Sequence, residues 1–387
     1  MAKISIGVHI LFLVNILLAS VCIFAPTIPI VFPLYLGVVT WLAARKEIVL
    51  NGKVLLSYFV CAMFASSSFV LNIGSENTSS LSFFYFLLLY LPFIFDVQLL
   101  KSERFALIFS QLMLVVATFT LLQFLLQQVG FGYYYIGDFL PDDFLLIGYA
   151  PLYEYPFGSG IFKPNGFFLL EPSFLSQFMA LGLVVEFYSK RRYHFILIFV
   201  VALLLSQSGT GILIVSGLIV QEFFRAKTDN KIKFFVSIVM LSIFILPFIS
   251  LDFYASRATE LGVEDSSAFI RFVAPFVHVS YLFDNASLGD IAFGFGPGSS
   301  SRVYFSTEAN HLFSTKSAIE YGVFFLLAIH VYVLVFIFKR IESNFRLPLF
   351  VFVFLASGSL LQPITIVSMF LFQFVSVPGT RPKFNIF

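Results

Sequence analysis

Charge is scarce in this chain. Only 11% of its 387 residues are Asp, Glu, Lys or Arg, where a soluble domain carries roughly a quarter. That shortage excludes a water-soluble globular enzyme and a disordered chain. With a formal net charge of +2, it also excludes a nucleic-acid binder working through a basic face. Cysteine is nearly absent. Cys22 and Cys61 each sit in an apolar run, so no disulfide framework or thiolate metal cluster is encoded. No Asp-x-Asp or His/Asp grouping points to a divalent ion, the pair Asp142-Asp143 being too little, and neither metal nor cofactor is expected. Phe293–Gly298 (FGFGPG) has G-x-G spacing, but no strand–turn–helix unit surrounds it to make a dinucleotide site.

What fills the chain is apolar: 59% of residues are hydrophobic and the mean hydropathy is +0.96. At about 20 residues per crossing, that supply suits about 12 transmembrane helices. Apolar stretches fall near 4–24, 27–44, 54–72, 80–96, 105–126, 166–188, 194–208, 210–224, 234–250, 318–338, 347–360 and 362–378. The first is expected as a helix and not a cleaved leader, since no small-x-small site follows it. The pair 194–208 and 210–224 is separated only by SGTG, yet Lys190, Arg191 and Arg192 precede it and Arg225, Lys227, Lys231 and Lys233 follow it. Cytoplasmic loops collect Lys and Arg, so both flanks belong on one side and the pair crosses twice. With both termini inside, only Lys163, Arg257, Arg271, Arg302 and Lys316 remain on the outer side. The expected fold class is therefore all-α, one multi-pass membrane domain over residues 1–387, with long outer loops at 127–165 and 251–317. Loops of that length usually carry function. Within the second, AFIRFVAPFVHVSYLF (268–283) reads as a helix lying in the interface.

Midplane ionisable groups are few: His9 and His330 are the candidates. Ion-coupled transporters keep carboxylates or cations at that depth, in repeated halves, and no internal repeat is visible. The outer polar residues instead gather in three places. KPNGFFLLEPSFLSQF (163–178) puts Glu171 four residues inside an apolar run, either as a site carboxylate near Lys163 or as a charge favoured at a helix start. LLSQSGTGILI (204–214) offers the hydroxyls of Ser206, Ser208 and Thr210, with Gly209 and Gly211 freeing backbone amides for an anion; a plain Gly-rich hairpin is the alternative. The second loop holds Arg257, Arg271, His278, Arg302 and His311. Arginine binds phosphate oxygens in bidentate fashion, and a histidine there can serve as general base or charge stabiliser; solvated loop charges are the alternative. The loop tyrosines Tyr133–Tyr135, Tyr149, Tyr153 and Tyr155 suit sugar stacking or an interfacial belt.

Taken in order, these pieces resemble the bacterial O-antigen polymerase and O-antigen ligase superfamily. The resemblance rests on the LLSQSGTGILI turn, GFFLLEPSFLSQF, the Arg-bearing loop, GFGPG, and NH…EYG at the start of a late helix; it covers about 160–330. It implies a GT-C-like membrane glycosyltransferase of the bacterial inner membrane. Such an enzyme polymerises undecaprenyl-diphosphate-linked oligosaccharide repeat units into O-antigen or capsular polysaccharide at the periplasmic face. Membrane lipid, a chain-length regulator and a flippase are the implied partners. On the same resemblance, Arg257 and Arg271, with Lys163 and Arg302, hold the diphosphate, and His311 stands near the acceptor hydroxyl. The catalytic set is then His311, Arg271 and Glu171, and Ser206, Ser208 and Thr210 form the turn. Many members carry an arginine right after the second serine, where this chain has Gly209. The missing cation then comes from Lys163, Arg302 or Lys316, or the turn is only a scaffold.

Two other functions are weighed against polymerisation. A ligase must approach a phosphorylated lipid A core, which suits poorly an outer face where acids outnumber cations. A lipid-linked-sugar flippase calls for midplane polar residues and a repeat. The topology itself is open to test by cysteine labelling in whole cells. An impermeant thiol reagent should modify Asp142→Cys and Asp290→Cys and spare Lys190→Cys; the reverse pattern overturns the orientation.

Overall fold

The computed structural model describes residues 6–23, 27–97, 100–149, 151–154, 159–225, 262–264, 266–303, 305, 307–357 and 359–378. Lys3, the expected ninth span at 234–250, Arg257, Tyr155, Arg381 and Lys383 lie outside them. The described chain is mostly helical. In order it forms α1 (Ile6–Leu17), α2 (Val31–Ala44), α3 (Gly52–Leu71), α4 (Ser80–Tyr90), α5 (Glu103–Gln128), α6 (Pro172–Tyr188), α7 (Tyr193–Leu205) and α8 (Gly209–Arg225). Three short helices follow, α9 (Ser267–Phe272), α10 (Ala274–Asn285) and α11 (Leu288–Phe293), then α12 (Phe313–Arg340), α13 (Arg346–Val351) and α14 (Pro363–Phe372). A two-residue ladder joins Val49–Leu50 to Phe95–Asp96. Gly52–Leu71, Glu103–Gln128 and Phe313–Arg340 are long and apolar enough to cross a membrane.

Polar residues set where the helices begin. Asn51, Ser79 and Ser102 cap α3, α4 and α5 by accepting from Val54 N, Ser82 N and Arg104 N, each at 3.2 Å, which answers an amide the helix leaves open. Pro172 and Pro363 open α6 and α14, where the missing N–H costs nothing.

Several expected boundaries move. The first apolar stretch stops being helical at Leu17, because beyond it the chain extends and bridges Val21 to Leu145 and Cys22 to Pro29. The sixth begins at Pro172, not 166: Gly166 there is left-handed (φ 71°), and its close packing on α5 leaves no room for a side chain. The eleventh, expected over 347–360, is α13 plus a wide turn over Phe352–Ala356. The single interfacial helix expected over 268–283 is two helices, α9 and α10, broken at Val273 just before Pro275.

The largest departure is in α12. Gly322 has φ 79° and ψ −179°, a conformation open essentially to glycine, and the helix doubles back on itself there. Ser314 Oγ lies 2.8 Å from His330 Nε2, although a straight helix would hold residues 16 apart about 24 Å from each other. Residues 313–321 thus run alongside 323–330 in the opposite sense. The span expected from 318 starts at the fold-back instead. Glycine turn 294–298 seals the break: Phe295 N donates to Ile319 O at 2.9 Å and Gly296 N to Glu320 O at 3.0 Å. Ser68 Oγ donates to Glu320 O at 2.9 Å and Asn72 Nδ2 to Gly294 O at 3.1 Å.

Hydrogen bonds between elements sort the chain into two ends. At one, Lys101 Nζ donates to Arg340 O (2.8 Å), Arg192 pairs with Glu186 (2.7 Å), and Arg225 donates to Asn344 Oδ1 (2.8 Å). At the other, Cys22 N donates to Phe144 O and Ser79 N to Pro297 O, both at 2.7 Å, and Ser176 Oγ to Ser208 O at 2.9 Å. Each bond joins segments that the charge pattern assigns to one side.

The fold-back yields a stability prediction. Gly322→Ala forces a β-carbon into the Ala292 carbonyl at a left-handed φ, so unfolding of the detergent-solubilised protein should lose about 1–3 kcal/mol. Gly209→Ala, with nothing within 4 Å of its β-carbon, should leave the melting temperature almost unchanged.

Candidate functional site

A cavity of about 1230 Å³ opens at the end of the molecule that holds the fold-back loops. Its walls come from the start of α6, the α7–α8 turn, α9, α10 and residues 300–311.

The first wall is stitched together through Ser176. Its hydroxyl donates to Ser208 O at 2.9 Å and accepts from Gly211 N at 2.8 Å, and any β-carbon at Gly211 would strike it. Thr210 Oγ1 donates to Ser173 O at 3.2 Å and lies 3.1 Å from Ser208 Oγ. The amide of Gly211, expected to serve an anion, is therefore already engaged. Ser208, Gly209 and Thr210 line the cavity. Ser206 does not: it is fully buried and donates to Leu203 O at 2.6 Å. Leu203, Leu204, Ile212 and Leu213 give this wall an apolar flank.

The second wall carries charge. Glu171 is the N-cap of α6, in extended conformation, so the apolar residues before it are not part of the helix and its charge sits at a helix start, the second of the two placings expected for it. Its carboxylate accepts from Ser173 Oγ at 3.0 Å and stands 4.0 Å from an Arg271 Nη. Arg271 closes α9 and its side chain is 21% exposed. Burial pulls its pKa below the usual guanidinium value, and Glu171 opposes that shift. Lys163 is buried at 6% exposure with its ammonium 4.9 Å from the centre of the Tyr153 ring. Both cations line the cavity.

The third wall holds two histidines. His278 Nδ1 lies 3.4 Å from His311 Nε2, and His278 Nε2 lies 3.0 Å from Thr307 O. Burial, then the neighbouring His278 and Lys316, push the pKa of His311 down to about 3. An imidazole of that kind is neutral at any physiological pH. It accepts a hydrogen bond but supplies no positive charge, and it is too weak a base to keep a proton. Its burial thus weighs against both roles expected for it, general base and charge stabiliser.

The sequence motifs thus converge unevenly. Lys163, Glu171, Ser208, Thr210, Arg271, Arg302 and His311 all line one cavity, although they span almost 150 positions. Arg257 lies outside the described residues. Arg302 is exposed and donates to Thr78 O at 3.1 Å. Lys316, one of three candidates to replace the turn arginine, is instead bound 3.0 Å from Glu320 Oε1 and 3.0 Å from Ser300 Oγ, outside the cavity lining. The FGFGPG turn is part of the α12 seam and not a ligand cradle. Sequence reasoning missed Thr307, which no motif marks, and passed over Gln207 of the SQSG turn and Asn310 of the NH…EYG motif; all three line the cavity. It had no way to place Tyr149, whose hydroxyl accepts from Gln362 Nε2 at 3.3 Å.

Compared with known proteins, the chain matches no family model and no curated protein.

A buried lysine and a half-buried arginine beside an apolar flank suit an anion carried on a hydrophobic tail. Inorganic pyrophosphate should therefore raise the melting temperature of the purified protein. Removing a charge-assisted contact by Arg271→Ala or Lys163→Ala should weaken that binding roughly tenfold or more. Equal protection in both variants would place the anion elsewhere.

Proposed function

We propose that this chain is a metal-independent membrane glycosyltransferase of the O-antigen polymerase and ligase superfamily. It joins undecaprenyl-diphosphate-linked oligosaccharide repeat units into O-antigen or capsular polysaccharide at the outer face of the bacterial inner membrane. About 12 helices cross the bilayer with both termini cytoplasmic, following the distribution of Lys and Arg. The observation that carries the reading is the meeting of Lys163, Glu171, Arg271 and His311 in one cavity: the last three lie in the segments on which the family resemblance rests, and Lys163 is a candidate for the cation missing from the turn.

Helix lengths support a recessed site. The 13 residues of α7 rise about 20 Å, short of a hydrocarbon core about 30 Å thick. The turn after α7 then stops below the outer surface. The arm 313–321 descends from the fold-back at Gly322 and brings residues 311–314 to the level of His330. Irregular backbone at such depth is tolerated where it lines a polar cavity. A diphosphate on a polyprenyl tail reaches such a cavity without leaving the lipid.

The chemistry needs little acid catalysis. The acceptor hydroxyl oxygen bonds to the anomeric carbon as that carbon's bond to the phosphate oxygen breaks. The bonding electrons leave with the polyprenyl diphosphate. Arg271 and Lys163 stabilise that charge as it develops. The hydroxyl proton passes to the departing diphosphate, whose phosphate pKa near 6 makes it a better base than His311.

Purified protein in detergent should extend a lipid-linked repeat unit with no energy source. Arg271→Ala should cut extension by about 100-fold and leave single-repeat glycan in cells. Failure of the wild-type protein to extend the chain, with normal transport of the unit across vesicles, would favour a flippase. Transfer to a lipid A core would identify a ligase.

A further inference from the structure

His278 and His311 form a linked pair whose protons can be placed by elimination. His278 Nε2 lies 3.0 Å from Thr307 O and 3.2 Å from Thr307 Oγ1. A carbonyl oxygen only accepts, so Nε2 carries the proton. In the neutral ring this leaves Nδ1 as an acceptor, and its neighbour at 3.4 Å is His311 Nε2, which must donate. The proton of neutral His311 is thus on Nε2, and its Nδ1 is a bare lone pair. That atom is buried and has no hydrogen-bond partner among the described residues. The His278 ring is held in place: it is 3% exposed and stacks on Phe305 at 3.7 Å, with the planes 8° apart.

We propose that His278 is a positioning residue: anchored on the Thr307 carbonyl, it holds His311 in the tautomer whose bare Nδ1 accepts from the hydroxyl of the acceptor sugar. The acceptor role rests on the reading of the cavity as a glycan-transfer site. The atom presented also selects the ligand. A lone pair attracts an O–H group and repels a phosphate oxygen, so the acceptor reaching His311 is an uncharged hydroxyl. The diphosphate stays with Arg271 and Lys163. The groups bearing on His311 are His278 from α10 and Lys316 from α12, with Arg271 of α9 and Glu308 on the same cavity lining.

The chain has five histidines, few enough for ring nitrogen spectra of histidine-labelled protein in micelles to be assigned by single substitutions at His9, His194 and His330. His311 should show a protonated Nε2 and an unprotonated Nδ1, and should stay neutral to pH 5. In His278→Ala it should lose its single tautomer, and its pKa should rise while burial and Lys316 still hold it below the ordinary imidazole value. In the extension assay, His278→Ala should lower kcat roughly tenfold, the weight of one hydrogen bond, with KM for the lipid donor unchanged. His278→Asn, whose Oδ1 can accept from His311 Nε2, should recover most of the rate. A wild-type His311 that is protonated on Nδ1 or titrates normally overturns the proposal. So does an equal loss in both His278 variants with unchanged His311 signals. A wild-type protein that extends no glycan removes the acceptor role, while the spectra still decide whether His278 sets the tautomer.

Discussion

An apolar surrounding leaves no water to satisfy a peptide group, so every place where this chain breaks a helix must be answered by another part of the chain. Three breaks lie near the cavity and each is answered. At the α7–α8 turn, Ser176 takes the Gly211 amide and donates to the Ser208 carbonyl. At the α12 fold-back, the amides of Phe295 and Gly296 and the hydroxyl of Ser68 meet the carbonyls of Ile319 and Glu320. Beyond α13, Gln177 donates to Ala356 O at 3.1 Å and Tyr90 to Leu360 O at 2.9 Å. Leaving one such group unpaired costs a few kcal/mol, so these contacts fix which segments can stand side by side. The cavity is the space they enclose.

That constraint explains why some residues that look chemical are structural. Glu320 and Lys316 sit in a sequence rich in polar residues near the proposed site, yet they bind one another and Ser300 in the buried seam behind the cavity. The glycines of FGFGPG resemble a phosphate-binding turn, but a β-carbon at Gly294 would meet the backbone of Glu320 and Tyr321. Their small size serves close backbone approach. Serine in the SQSG turn does both jobs: Ser208 faces the cavity while Ser206 returns its proton to its own helix.

The helices, and Lys163 and Arg271 as cations worth following, were legible in the sequence because apolar runs and misplaced outer cations are local signals; Glu171 and His311 joined them as site residues through the resemblance. Tertiary contact was not legible. Nothing local distinguishes Gly322, which reverses the chain, from Gly182, which packs inside α6. Hydropathy counted 318–338 as one span because the four residues taken before Gly322 hardly change the average over the apolar arm that follows, and that average is blind to direction. The interfacial helix over 268–283 failed for a local reason that could have been read: Pro275 lacks the amide a continuous helix needs there. The pairing of His278 with His311 lay beyond reach, since 33 positions and the whole of α11 separate the rings.

Keeping His311 neutral matters more than its basicity. A cation and a phosphate about 4 Å apart attract by about 4 kcal/mol at an effective dielectric of 20. On the proposed glycan-transfer reading, a protonated His311 would therefore compete with Arg271 and Lys163 for the diphosphate and draw it onto the wall proposed for the acceptor. Burial and the neighbouring His278 and Lys316 all disfavour that proton. The two walls then differ in kind: one offers charge to a departing anion, the other a lone pair to an arriving hydroxyl. With both walls cationic, donor and acceptor could exchange places. With one wall neutral, the proposed reaction takes its direction from which substrate group each wall can hold.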